Sequence, residues 1–345
     1  MKPMKVSILG AGSWGTALST IVNHNGHHTS LWIRSADQAV QMQQERINKK
    51  YLPDILIPPR ISLENDLEKS LFHAEVVILA VPTQQIRPLL KAAGRFIPED
   101  ALLINVAKGI EQGSNYRISE IVGEEIGNRL YAAVSGPSHA EEVALKMPTT
   151  LVAASQSKIV AEKAQNLLMN QYLRVYTNPD VIGVELAGAL KNVIAFGAGI
   201  ADGIGHGDNA RAALITRGIA EIARLGKEMG ASLNTFAGLA GIGDLVVTCT
   251  SMHSRNRRAG IMIGQGKNLD ETLKAVGMVV EGVLTASAAY ELARQYEVDM
   301  PITNAIYSVL YEHKHVMEAV QDLMTRDKKH EMEEVAEWQM KQWEN

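Results

Sequence analysis

Short β-branched runs alternate with amphipathic segments along the first half of the chain. VSIL (6–9), TSLWI (29–33), EVVILAV (75–81), ALLINVA (101–107) and LYAAV (130–134) read as strands, bounded by Gly, Pro, Asn or Asp. Helical periodicity fills the gaps at 15–23, 36–48 and 84–93. The strands are apolar throughout rather than alternating, which predicts a parallel sheet covered by helices on both faces. TTLVAAS (149–155) and LRVYT (173–177) extend that sheet, with a helix at 159–169 between them.

After Asn178-Pro179 the pattern changes. No strong strand follows, and helical periods dominate at 180–201, 208–229, 254–265, 280–296 and 302–313. The chain therefore divides into an α/β Rossmann-like doubly wound N-terminal domain, 1–178, and an all-α C-terminal domain, 179–345. Its 345 residues suit two domains better than one core. From Arg326 onward the sequence is heavily charged and reads as a solvated terminal helix or frayed tail.

One helical segment breaks its own pattern. In ELAGALKNVIAFGAGIADG (185–203), Lys191 shares a face with Val184, Ala187, Gly188, Ile194, Ala195 and Ala198. An unpaired ammonium in such surroundings is costly, so this lysine needs a partner or a task.

Composition narrows the classes. Apolar residues make up 46% and the net charge is −4, which describes a globular protein and argues against a general nucleic-acid binder. A local basic pocket for an anionic small molecule stays open. The single cysteine, Cys249, excludes an internal disulfide framework and a cysteine metal cluster, and it fits a reducing compartment. The opening MKPMKVSILGAGSWG carries an apolar run too short for a signal peptide, and no uninterrupted run reaches membrane-spanning length. A cytoplasmic protein is expected, with no metal and no membrane span.

The chemistry gathers in five motifs. Gly10-Ala-Gly12-Ser13-Trp14-Gly15 follows VSIL and opens a helix, the context of a dinucleotide-binding turn. There Gly10 permits the tight turn, Gly12 the approach of a pyrophosphate, and Gly15 close helix–strand packing. The second strand ends in Arg34 with no acid before Asp37, which favours NADPH over NADH because a guanidinium accepts a 2′-phosphate. Lys108, in Asn105-Val-Ala-Lys108-Gly109, lies at a strand's carboxyl end, where ligands bind; a snorkelling lysine is the equal alternative. In Ser135-Gly136-Pro137-Ser138-His139, Gly136 lets backbone approach a ligand and Ser138 can donate to it, while His139 is left without a role. Finally, the bend Gly238–Gly243 ends in Asp244, and Ser254-Arg255-Asn256-Arg257-Arg258 places three arginines at a helix start, suited to a phosphate.

In order, GAGSWGTAL, NVAKG, SGPSHAEEV, ELAGALKNVIAFGAGIADG, ITRGIAEIARLG, TFAGLAGIGDLVVTCTS and SRNRRAG resemble the bacterial-type NAD(P)-dependent glycerol-3-phosphate dehydrogenases across nearly the whole chain. Only the loop around Tyr51–Arg60 and the charged tail lie outside these motifs. The family most often has leucine before the motif lysine, where this chain has Ala107. The resemblance implies reversible reduction of dihydroxyacetone phosphate to sn-glycerol 3-phosphate, feeding glycerophospholipid synthesis. It implies Lys191 as the catalytic proton donor and acceptor. Lys108, Gly136, Ser138, Lys191, Asp244, Ser254, Arg255 and Asn256 match substrate contacts. Ser13, Trp14, Arg34, Lys108, Ala140, Arg255, Val279 and Glu281 match cofactor contacts.

Two other readings compete: a two-domain dehydrogenase of a hydroxy acid, and a dinucleotide-binding sensor without turnover. The first would hold a carboxylate rather than a phosphate, and the second has no use for Lys191, Asp244 and the arginine run together. The apolar, small-residue segment 179–230 suits either a homodimer contact or the interdomain core.

Overall fold

The apolar runs form strands where their continuity predicts. The computed structural model describes residues 2–328. Its strands are β1 (Lys5–Leu9), β2 (His28–Trp32), β3 (Ile47–Asn48), β4 (Leu52–Leu56), β5 (Ser62–Glu64), β6 (Val76–Leu79), β7 (Leu102–Asn105), β8 (Tyr131–Ser135), β9 (Thr149–Ala154) and β10 (Leu173–Asn178). Eight of them make one sheet in the order β10-β9-β8-β7-β6-β1-β2-β5. From β1 the chain moves outward to β2 and then returns to β6 on the other side. The crevice at that reversal is where open α/β sheets bind ligands.

The sheet departs from expectation in one pairing: β9 runs antiparallel to β8. The connector between them holds only a five-residue helix, Ala140–Ala144. Such a helix advances about 7 Å, too little to carry the chain back along a strand, so the chain turns and pairs in reverse. The sequence pattern also passed over β5 and the ribbon β3–β4, which are short and lack a sustained apolar run. The helix expected over 36–48 stops at Glu45, because Arg46 enters the left-handed region at φ 56° and begins the turn into β3. The charged tail beyond residue 328 lies outside the described residues.

After β10 the described chain is helical. Val181–Gly203 is its centre, and all but a small part of its most apolar stretch is buried inside the protein. This helix is long and apolar enough to cross a membrane, as is the segment Leu233–Thr250, but length and composition are the only properties that suggest it. One core joins Ala133, Val152 and Ala154 of the sheet to Val184, Leu190, Ile194 and Phe196 of the central helix. That burial favours the interdomain-core reading of this segment.

The small residues of the central helix have a packing reason. A Cβ on Gly199 would lie 2.1 Å from the carbonyl oxygen of Arg257, and one on Gly260 would lie 2.0 Å from that of Phe196. The helices Val181–Gly203 and Arg255–Gly264 thus cross backbone against backbone, a closeness only glycine allows.

Candidate active site

At the carboxyl end of β1, Gly10 takes φ +121°, and a Cβ there would strike the Ala80 carbonyl oxygen at 2.6 Å. Its N–H donates to the Trp32 carbonyl at 3.2 Å, pulling the loop across β2. Gly12 has open space before its Cα, and no side chain caps the helix Ser13–His24 that follows. Uncapped N–H groups facing an open cradle fit a dinucleotide pyrophosphate. Ser13 donates to the Tyr51 carbonyl at 2.7 Å, so the β3–β4 ribbon closes over this turn.

A cleft of about 1530 Å³ runs from this turn to the helical region. Along it lie Gly10, Gly12, Ser13, Trp14, Arg34, Lys108, Ser138, Ala140, Lys191, Ser254, Arg255, Asn256, Val279 and Glu281. Arg34 sits just beyond β2 and donates to Gln85 Oε1 at 2.9 Å. Glu281 accepts from the Thr83 N–H at 2.9 Å, and Arg255 donates to the Val279 carbonyl at 3.4 Å.

The floor of the cleft answers the question raised by the buried lysine. Lys191 donates to Asp244 Oδ1 at 2.5 Å and to Thr248 Oγ1 at 2.7 Å. Lys108 donates to Asp244 Oδ2 at 2.6 Å and to the Gly136 carbonyl at 2.9 Å. One carboxylate therefore holds two ammonium groups, and Lys108 turns inward rather than snorkelling. A π-helical turn, Leu239–Gly243, delivers Asp244 to this position, a device that recurs at functional sites. Gly188 keeps the central helix close: a Cβ there would meet Ser135 Oγ at 2.7 Å.

Electrostatics follow from burial. Asp244 is 1% exposed and Lys191 5%. Burial alone would push the Asp244 carboxyl up, but Lys108 and Lys191 together hold it below the usual range. For Lys191, burial outweighs the pull of Asp244, and Lys108 adds to the lowering, bringing its pKa to about 8. Burial lowers His139, Lys191 acts in the same direction, and Glu141 opposes them. Cys249, buried beneath the site, is pushed up to about 12, which leaves an inert thiol.

The arginine run divides. Arg255 and Arg258 border the cleft, whereas Arg257 turns away to pair with Asp202 at 2.8 Å, about a quarter-turn or more from each on the helix. Ser254 caps this helix by accepting from the Arg257 N–H at 3.2 Å. Asn256 is committed within the fold, donating to Asn192 Oδ1 and accepting from the Gly282 N–H. It thereby links the central helix to the helix that starts at Glu281. Gly136 contributes its carbonyl, and Ser138 donates to that same carbonyl at 2.9 Å.

Several cleft residues went unread in the sequence. Thr248 lies one turn beyond Asp244 on the same helix face, a spacing that could have flagged it. Lys50 and Tyr51 arrive on the short ribbon, for which no local signal existed. A second cavity of about 550 Å³, largely apolar, lies between the helices near Ile200, Leu214, Ile306 and Val320, and none of the candidate substrate or cofactor residues lines it. Among the described residues no group of three His, Cys, Asp or Glu side chains could hold a metal.

Comparison with known proteins agrees with this geometry. Residues 5–161 match the family model of the NAD-dependent glycerol-3-phosphate dehydrogenase N-terminus, and residues 180–321 match that of the C-terminus. The chain is 54% identical over 335 residues to glycerol-3-phosphate dehydrogenase [NAD(P)+] of Pelotomaculum thermopropionicum, covering 96% of each. It is 52% identical over 334 residues to the Bacillus subtilis enzyme of the same name, covering 96% of this chain and 97% of the relative. The crystal structure of glycerol-3-phosphate dehydrogenase from Coxiella burnetii superposes with a TM-score of 0.91 at 38% identity, covering 94% of this chain and 99% of that one. A glycine turn at the switch of a doubly wound sheet, a buried lysine–carboxylate cluster and these matches together place the chain in the NAD(P)-dependent glycerol-3-phosphate dehydrogenase family of oxidoreductases.

Proposed function

We propose that Lys191 moves the proton at the C2 oxygen when dihydroxyacetone phosphate is reduced to sn-glycerol 3-phosphate. The observation that carries this reading is the Lys108–Asp244–Lys191 cluster on the floor of the cleft that begins at the glycine turn. When bound, the reduced nicotinamide supplies the hydride for C2. The chain's own residues do the rest. Lys191 faces the oxygen on which negative charge develops, stabilises that charge and donates its proton. Lys108 adds a second positive charge, and Asp244 holds both ammonium groups in place. Ser254, Arg255 and the main-chain N–H of Asn256, in the first turn of the helix, grip the phosphate, which positions C2 without taking part in the chemistry.

Gly10, Gly12, Ser13, Trp14, Gly15, Arg34, Lys108, Ala140, Arg255, Val279 and Glu281 are assigned to the dinucleotide. Following absorbance at the nicotinamide band with dihydroxyacetone phosphate, and separately with 2-keto acids, tests the substrate. Turnover of the keto acids alone would move the protein to the hydroxy-acid dehydrogenases.

Arg34 is proposed to select NADPH, because nothing acidic precedes Asp37 and its guanidinium borders the cleft. Arg34→Asp is expected to shift the NADPH:NADH ratio of kcat/KM toward NADH by about 10-fold or more. An unchanged ratio would remove Arg34 from cofactor choice. We place the domain boundary at 178/179, where β10 ends. A homodimer would meet through the half-exposed helix Asp208–Glu228 rather than the buried central helix, and sedimentation at several concentrations would reveal it.

A further inference from the structure

His139 opens the short helix Ala140–Ala144, yet its side chain caps nothing. Its Nε2 is buried and has no hydrogen-bond partner. Histidines that serve only packing have their ring nitrogens satisfied inside the chain, because an orphaned buried nitrogen is costly. The residue nonetheless borders the cleft that holds Lys108 and Lys191, where a turn of its side chain would bring the covered nitrogen to a ligand, and its ring packs at 5.5 Å against that of His253.

The surroundings decide what it can bind. Burial and the neighbouring Lys191 keep the imidazole neutral near pH 7, with Glu141 opposing more weakly. A neutral imidazole offers one donor and one acceptor, which suits a hydroxyl and gives little to a phosphate dianion. Dihydroxyacetone phosphate carries three polar groups. The lysines take the C2 oxygen, and Ser254 and Arg255 take the phosphate. Its C1 hydroxyl falls to the neighbours that remain in the cleft: Ser138, whose hydroxyl already donates to the Gly136 carbonyl, and His139, whose Nε2 has no partner.

We propose that His139 hydrogen-bonds the C1 hydroxyl of the substrate and so selects hydroxymethyl ketones over methyl ketones. The inference rests on the assignment of Lys191 to the C2 oxygen. It makes His139 a specificity residue with no part in proton transfer to C2.

The test compares kcat/KM for dihydroxyacetone phosphate with that for the analogue whose C1 hydroxymethyl group is a methyl. The wild-type enzyme is expected to prefer the natural substrate by about 10-fold or more. In His139→Ala that preference should fall to about twofold or less, with the methyl analogue turned over as before. His139→Gln, whose amide reaches nearly as far as Nε2, should recover part of the preference, and it carries the test if the alanine variant misfolds. An unchanged preference, or an equal loss with both ketones, would overturn the proposal. So would a change confined to the preference for dihydroxyacetone phosphate over dihydroxyacetone, since the ring would then serve the phosphate. If Lys191→Ala retains turnover, the underlying reading of the site fails; if only the His139 comparison fails, that reading stands.

Discussion

Lys191→Ala is expected to lower kcat for dihydroxyacetone phosphate reduction by ~10²–10⁴-fold, with the dissociation constant for NADPH nearly unchanged. The lysine is buried, and its ammonium touches only Asp244 and Thr248 in the described structure, so its removal deletes the proton source without disturbing the glycine turn. Steady-state kinetics and a cofactor fluorescence titration separate the two effects. Retained kcat would end the assignment. The wild-type pH profile supplies an independent check. Because burial brings Lys191 to about 8, the protonated form needed for reduction is lost above that pH. Reduction should therefore decline through pH 8 while oxidation of glycerol 3-phosphate rises. The same depression has a stability consequence. Between about 8 and the ordinary lysine value of 10.5, the unfolded chain binds more protons at this residue than the folded one. This group's contribution to stability accordingly increases as pH climbs through that window.

Asp244→Asn is expected to damage both activity and stability. The carboxylate is 1% exposed and carries the opposing charge for two lysines. Removing one partner from a buried ion pair costs about 3–5 kcal/mol, because the charges left behind have lost their hydration and gained nothing. Lys191 would also lose the interaction that resists its depression, so the reduction limb of the pH profile should move to lower pH. Urea denaturation measures the first effect and the pH profile the second. Adding Lys108→Met to the Asp244→Asn variant should restore part of the stability by removing one stranded charge. A variant as stable as the wild type, with the same profile, would contradict the picture of Asp244 as the anion holding the cluster together.

How much of this was legible in the sequence follows from range. Strands buried on both faces announce themselves as unbroken apolar runs, and the glycine turn carries its context in adjacent residues, so the Rossmann-like half could be read directly. The reversal of β9 depends on the length of a connector, and the β3–β4 ribbon on a turn at Arg46; neither leaves a periodic trace. The site residues were individually visible, and the resemblance ordered them. Their pairing was not. Lys108 and Asp244 are 136 positions apart, and Lys191 and Asp244 are 53 apart. The sequence left the contest between burial and Asp244 over Lys191 undecided, since its outcome depends on how completely the surrounding helices exclude water. The turning away of Arg257 was likewise hidden until the helix had a defined face toward Asp202.

The glycine-lined crossing of the helices Val181–Gly203 and Arg255–Gly264 makes the site a caliper. On the proposed assignment, one jaw is the phosphate grip at Ser254 and Arg255, and the other is the ammonium of Lys191. Because the arms meet backbone to backbone, no side chain can yield to reset the gap between them. A phosphorylated ketone with one more carbon between phosphate and carbonyl would put its reacting oxygen off the jaw, however well its ends were held. Substrate length would thus be measured by the contact of two main chains, remote from every atom that reacts.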